Sequence, residues 1–285
     1  MTLVEGYSNS NFNNYEVLDN TALLFDWSNR RIKILTSESL SIRTLNRIKN
    51  VAVQKGMDKI IANVPESCRT LFSEQGFVLE GKINGFFNGE DAFCFSFFGL
   101  EESKKPSSDY DGIIPSGCCW DFARQQQYSN PWFEIRNAHE ADIPGMIGLF
   151  RNVFATYPSP VFDAEYLRYT MNTDRVLYKL AIDDGQLVGI ASADKDQAHL
   201  NAEMTDCTTR PDYRGRGILT QLLGELEEHL VKHGFICLYT LCRATEAGVN
   251  KAFFRHGYQY SGRLIKNCNI CGNFEDMNIL VKTLR

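Results

Sequence analysis

The chain has 285 residues, 44% of them hydrophobic and 23% charged, enough for two packed units that each bury a core. A formal net charge of -5 lacks the basic footprint of a nucleic-acid binder. No apolar run approaches the roughly 20 residues of a membrane span, and the polar stretch at 1–20 lacks the basic start and apolar core of a signal peptide, so a cytoplasmic protein with no membrane partner is expected.

In chain order, the pattern predicts a strand at 31–36, a helix at 42–55 closed by Gly56, a strand at 59–64 and a helix running to Gly76. Two further strands follow, and Glu90 and Asp91 fit the hairpin turn between them, a reading favoured over a reach into a site in the other half. The stretch from about 101 to 129 breaks the pattern. It carries Lys104-Lys105-Pro106-Ser107-Ser108, Pro115-Ser116-Gly117 and a Gln125-Gln126-Gln127 run, the turn formers and polar residues of a linker, with Trp120 and Phe122 suited to docking on a surface. The expected units are therefore an N-terminal αβ domain at 1–100, a linker at 101–130 and a larger domain at 131–285.

The larger unit opens with a strand at 133–136 and a helix at 142–154, where Ile143, Met146, Ile147, Phe150 and Phe154 share one face. Strands at 178–182 and 186–193 flank Asp184-Gly185, a tight-hairpin dipeptide. A strand at 202–208, a long helix at 217–233, a strand at 236–241, a helix ending at Gly257, and strands at 259–264 and 276–281 complete the order. Both halves place a Gly-capped helix, a strand, an aromatic-bearing helix ending in Gly-aromatic (Gly76-Phe77, Gly257-Tyr258) and two strands in the same sequence, which reads as an internal repeat. Two unrelated αβ units with similar punctuation remain the alternative.

Nine cysteines are scattered, several within apolar runs (Cys94, Cys207, Cys237). Cys268 and Cys271 form a CxxC with no second pair at zinc spacing, so free thiols and no metal are expected.

The informative segment is Thr208-Thr209-Arg210-Pro211-Asp212-Tyr213-Arg214-Gly215-Arg216-Gly217-Ile218-Leu219, between a strand and the long helix. Two glycines allow close backbone approach and unusual φ values. The first helical turn presents free N–H groups at the positive end of the helix dipole, and Arg214 and Arg216 add cations, which together make a pyrophosphate cradle. The Walker pattern is absent, and the dinucleotide GxGxxG fails at Thr220.

Arg-x-x-Gly-x-[Gly/Ala] after a strand, preceded here by Pro211-Asp212-Tyr213, resembles the acetyl-CoA signature of the GNAT N-acetyltransferases. Arg214 and Gly217 match its arginine and first glycine; Leu219 stands where Gly or Ala is usual. Asn250 through Phe253 to Gly257-Tyr258 resembles the family's second element. The resemblance covers about 132–285 and implies an α/β fold, a mixed, partly splayed sheet flanked by helices, beside a smaller N-terminal αβ domain like a degenerate half of the same fold. It implies acetyl-CoA as co-substrate, held by Cys207, Thr208, Thr209, Arg214, Gly215, Arg216, Gly217, Ile218, Leu219, Asn250 and Phe253. A narrower resemblance, carried by 85–92, Thr156-Tyr157-Pro158, 202–206, Asn269-Ile270 and 275–278, is to β-lysine N6-acetyltransferases. It implies transfer of acetyl to the side-chain amine of β-lysine (3,6-diaminohexanoate), whose product is a compatible solute in osmoadaptation. Another small amine such as a polyamine or lysine, and a non-catalytic acetyl-CoA-binding module, are the alternatives. A homodimer is left open.

An alkyl amine with a pKa near ~10.4 arrives protonated, so acyl transfer needs a base. Glu203 and Asp206, on the strand that enters the cradle, are the candidates; strand alternation puts them on opposite faces unless a bulge intervenes. The family's usual Tyr as general acid is Phe253 here. Tyr239, Tyr258 or Tyr260 are substitutes, and a thiol pKa near ~8.5 also allows the thiolate to leave unaided. Cys242 and Cys207 lie near the expected site, but direct transfer needs no cysteine nucleophile. For the acceptor, the Pro-stiffened loop with Tyr157, the cation of Arg243, and Glu275 or Asp276 are the candidates.

Overall fold

The computed structural model of the chain describes residues 13–36, 40–99, 106 and 132–284. The expected linker lies outside the described residues, Pro106 apart, and so do Trp120 and Phe122. In the N-terminal half, β1 (Asn13–Leu18), β2 (Thr21–Asp26) and β3 (Arg31–Ile34) lead to α1 (Ile42–Gln54), β4 (Lys59–Val64), α2 (Arg69–Glu74), β5 (Val78–Phe87) and β6 (Glu90–Phe98). The C-terminal half runs β7 (Glu134–Asn137), α3 (Ile143–Val153), α4 (Ala164–Asn172), β8 (Val176–Asp183), β9 (Gln186–Asp196), β10 (Asn201–Thr209), α5 (Ile218–Lys232), β11 (Cys237–Arg243), α6 (Ala247–Arg255), β12 (Gln259–Ile270) and β13 (Asn273–Thr283).

All these strands join one mixed sheet in the order β1-β2-β3-β4-β6-β5-β12-β13-β11-β10-β9-β8-β7. The local reasons are ordinary. Ser41 caps α1 by accepting from the Thr44 N–H at 3.1 Å, and Leu45, Ile48 and Ala52 bury its apolar face. Asp184 and Gly185, at φ 47° and 73°, turn β8 into β9. In α5, Leu222, Leu223, Leu226 and Leu230 recur at helical spacing and are buried.

The sheet separates two cores in the C-terminal half. One lies under α3 and α4, with Met146, Phe150, Leu167 and Ile190; the other lies under α5 and α6, with Leu222, Leu226 and Phe253. A third core packs Phe25, Ile32, Ile48, Ile60 and Phe72 in the N-terminal half. Ile83, Ala92 and Cys94 of β5 and β6 belong to the first of these, so the halves share apolar packing as well as a sheet.

The seam between the halves is glycine on glycine. Gly262 of β12 pairs with Gly81 of β5. A Cβ at Gly81 would meet Ile279 Cδ1 at 2.6 Å and the Ser261 carbonyl at 2.8 Å, and one at Gly262 would strike Gly81 Cα and the Glu80 carbonyl. Sequence periodicity misses β1, β2 and α4. The Asp19-Asn20 turn that joins β1 to β2, with both residues at positive φ, is the readable signal for the two strands.

Candidate active site

The parallel strands β10 and β11 pair only where Asn201–Glu203 faces Cys237–Tyr239. Beyond that they diverge. The register of β10 against β9 shifts between Thr205 and Thr208, and Asp206 at this bulge has φ 49°. A cleft of about 400 Å³ opens between the diverging strands, lined by 204–209 on one side and 240–243 on the other.

The cleft's mouth is the start of α5. Gly217 caps this helix at φ 80° with no side-chain cap, which leaves the N–H groups of the first turn without an intrahelical or capping partner. A left-handed residue at this cap suits glycine. Gly215 also has positive φ, at 78°. Cys207, Thr208, Thr209, Arg214, Gly215, Gly217, Ile218, Leu219 and Phe253 line the cleft. Arg216 and Asn250 are not among the lining residues. The Arg216 guanidinium lies over the rings of Tyr213 (4.8 Å) and Trp132 (5.7 Å) and donates to the Asp212 carbonyl at 3.0 Å. Asn250 is fully buried: its Nδ2 donates to the Arg243 and Glu246 carbonyls at 2.9 and 2.8 Å, and its Oδ1 accepts from Asn278 at 3.0 Å. It ties the end of β11 to the start of α6.

At the inner end of the cleft stands Asp206, only 4% exposed. The Ser192 hydroxyl donates to its Oδ2 at 2.8 Å, while Oδ1 has no hydrogen-bond partner. Burial pushes its carboxyl up to about 6, with the Asp194 charge adding and the hydroxyls of Ser192 and Tyr157 opposing. Glu203 pairs across the sheet with Asp194 on one side and Tyr239 on the other, so these three side chains share a face. The Tyr239 hydroxyl donates to Glu203 at 3.4 Å. Burial pushes Glu203 up to about 7; the nearby Lys33 ammonium opposes this, and the charges of Asp194 and Asp206 add to it. The two carboxylates thus sense each other, because the bulge undoes strict alternation.

Tyr157 lines the same inner end, its ring tilted on Phe154 at 4.6 Å, and burial raises its hydroxyl well above the usual range. Its loop is held to the β12–β13 turn by Cys271 N–H to the Thr156 carbonyl (3.3 Å) and Gly272 N–H to the Thr156 hydroxyl (3.1 Å). Arg243 lines the cleft but is ion-paired to Glu246 at 2.9 Å. Glu275 accepts from Thr245 at 3.5 Å, and Asp276, buried, accepts from the Lys266 N–H at 2.9 Å; neither lines the cleft. Glu90 and Asp91 begin β6 at the hairpin, where Asp91 accepts from the Gly85 N–H at 2.9 Å and pairs with Lys82 at 2.6 Å.

Of the phenols considered as proton donors, Tyr239 is committed to Glu203, and Tyr258 packs edge-on against Phe253 with centroids 4.9 Å apart, neither in the cleft wall. Tyr260 is exposed. Ser192 and Asp194 escaped the sequence reading. Their signal was strand alternation on β9, which sets both on the face that Glu203 occupies. Among the described residues, no group of three His, Cys, Asp or Glu is placed to hold a metal ion, and no helix is long and apolar enough to cross a membrane.

Comparison with known proteins places this geometry. The family model described as the acetyltransferase (GNAT) family matches residues 134–258. An N-acetyltransferase of Bacillus subtilis, YodP, is 33% identical over 267 residues, covering 93% of this chain and 96% of its own. A β-lysine N(6)-acetyltransferase of Methanosarcina mazei is 32% identical, covering 83% of this chain and 95% of its own. A protein of the same name from Methanococcus maripaludis is 31% identical, covering 84% and 87%. The splayed strands, the uncapped helix start and these relatives agree: the chain is an acyl-transfer enzyme of the acetyltransferase (GNAT) family.

Proposed function

We propose that the chain transfers acetyl from acetyl-CoA to the side-chain amine of β-lysine, giving N6-acetyl-β-lysine for use as a compatible solute. The observation that carries the reading is Asp206, a buried carboxylate at the bulge with one oxygen unpartnered, at the inner end of a cleft whose mouth is a bare helix N-terminus. The names of the relatives from Methanosarcina mazei and Methanococcus maripaludis supply the acceptor.

Acetyl-CoA supplies an acyl carbon already activated as a thioester. The start of α5 suits its pyrophosphate, with N–H groups and the helix dipole facing the anion and Arg214 beside them. The chain must then strip a proton from the incoming ammonium. Asp206, with an unpartnered oxygen in the cleft wall, is the base, and Glu203 beyond it holds a second negative charge near neutrality. Phe253 cannot return a proton, so the thiolate leaves without help from α6, as a thiol pKa near ~8.5 allows. The division at 1–100, 101–130 and 131–285 belongs to the same proposal: chemistry in the last unit, the first unit packed against it.

The acceptor is tested by kcat/KM at saturating acetyl-CoA for β-lysine, lysine and pentane-1,4-diamine, which is β-lysine without its carboxyl group. The expected order is β-lysine first and the diamine last; a diamine that equals β-lysine would move the reading to polyamines. The donor site is tested by Gly217→Val. A β-branched residue at φ 80° is strained and its side chain crowds the bare N–H groups. Acetyl-CoA affinity by calorimetry is expected to fall tenfold or more, about 1.4 kcal/mol. Unchanged affinity in a folded protein would place the pyrophosphate elsewhere.

A further inference from the structure

The inner face of the N-terminal sheet is polar where it meets the C-terminal half. Register aligns Tyr15, Leu24, Lys33 and Ile61 across β1 to β4, and sets Asp26 opposite Arg31. The other face, with Phe25, Ile32 and Ile60, packs on α1. Three clasps pin the polar face to β12. Arg31 donates to the Asn267 carbonyl, Asn29 Oδ1 accepts from the Asn269 N–H at 2.6 Å, and Lys59 donates to the Ile265 carbonyl at 2.7 Å.

This brings the N-terminal half over the face that carries Asp194, Glu203 and Tyr239. Lys33 lies within electrostatic reach of Glu203, and Tyr15 within reach of Arg175 and Asp194. Phe86 of β5 closes one side, its ring centroid 5.5 Å from that of Tyr239. The result is a polar, half-buried face shared by the two halves on the side of β10 that carries Glu203.

Its cations differ in their commitments. Arg31 is paired with Asp26 at 2.8 Å, Lys59 with Glu80 at 2.8 Å, and Arg175 with Asp194 at 3.1 Å. Lys33 has no carboxylate oxygen within 4.0 Å and no hydrogen bond among the described residues, although burial holds its ammonium below the usual lysine range. Lys33 is half-buried, so its ammonium is partly withdrawn from water without gaining an ion pair in exchange. Among the described residues Glu203 and Asp206 also make no ion pair, though Tyr239 donates to the first and Ser192 to the second. One cation without an ion pair near Glu203, with Asp206 three residues further along β10, is the complement of a molecule with one carboxylate and two ammonium groups.

We propose that Lys33, from the N-terminal half, reads the carboxylate of the acceptor, while Glu203 receives its second amine and Asp206 faces the amine to be acetylated. This deepens the reading above and rests on it. It transfers the carboxylate contact from Arg243, which is ion-paired to Glu246, to a residue of a different unit. It also gives the N-terminal half a task in substrate choice.

The test compares wild type with Lys33→Met and Lys33→Arg, using β-lysine and pentane-1,4-diamine as the two acceptors. For Lys33→Met, the ratio of kcat/KM for β-lysine to that for the diamine is expected to fall on the order of 10²-fold, mainly through KM for β-lysine. Lys33→Arg, which keeps the charge, is expected to retain most of the ratio. A Lys33→Met protein that keeps the wild-type ratio, or loses equally with both acceptors, overturns the assignment, the second outcome marking Lys33 as structural. If Lys33→Met does not fold, the same ratio in Lys33→Gln decides. A wild type that acetylates neither acceptor overturns the acceptor reading itself, and is seen before any variant is measured.

Discussion

Asp206→Asn is expected to lower kcat by about 10³-fold while leaving acetyl-CoA affinity near wild type. The amide keeps the shape of the carboxylate and can still bond Ser192, but it cannot accept the ammonium proton, and acid–base assistance is ordinarily about 10²–10⁴-fold. The pH profile provides the sign. Burial raises Asp206 to about 6 and Glu203 to about 7, so kcat/KM should rise with pH through 6–7 as the carboxylates ionise. Stability should run the other way. A carboxyl raised in the folded state binds its proton where the unfolded chain has already lost it, so stability falls as pH climbs from about 4 to about 7. Asp206→Asn should therefore have a higher Tm than wild type at pH 8. Full activity in both Asp206→Asn and Glu203→Gln across that range would remove the carboxylates from the mechanism.

Arg31→Met is expected to be the most destabilising of the substitutions considered. Arg31 and Asp26 have side chains each 5% exposed and meet at 2.8 Å; Asn29 Nδ2 also donates to both Asp26 oxygens, each at 2.8 Å. Removing the guanidinium leaves Asp26 buried without its counter-charge and the Asn267 carbonyl without that donor. Breaking such a pair costs about 3–5 kcal/mol, which for a chain of this size lowers Tm by roughly 10 °C. The double variant Asp26→Leu/Arg31→Met should recover part of the loss, because it removes both charges and leaves neutral groups short of partners: the Asn29 side-chain amide and backbone N–H, the Asn267 carbonyl and the Cys268 thiol. Thermal unfolding of the three proteins checks this; a single variant as stable as wild type would show the pair to be dispensable.

The sequence declared its helices and turns through local chemistry. Asp184-Gly185, Gly56 and the leucines of α5 each act within a few residues of themselves, and their elements lie where the pattern puts them. The strands β1 and β2 escaped because β2 is buried at every position and so has no alternation, while β1 is largely polar. The helix α4 is short, and its cap at Asp163 sits close behind Pro158 and Pro160, which reads as loop. The site divides in the same way. Residues 207–209, 214, 215 and 217–219, singled out from one contiguous motif, all line the cleft. The bulge at Asp206 has no local signal, since aspartate tolerates positive φ without requiring it. Lys33 is less legible still: a lysine between two buried isoleucines on a four-residue strand reads as a solvent-facing position, and only the fold over β12 brings it, half-buried, near Glu203.

The glycine pair at the seam has a consequence for how such proteins can be recombined. Gly81 and Gly262 approach so closely that neither tolerates a side chain, yet they come from opposite ends of the chain. An exchange of N-terminal halves between relatives, made to graft one acceptor preference onto another catalytic half, must carry compatible residues on both sides of this junction at once. A donor with alanine at either place would wedge β5 away from β12 and shift Lys33 relative to Glu203. The fidelity of the hybrid would then depend on two positions with no side chain to contribute to recognition.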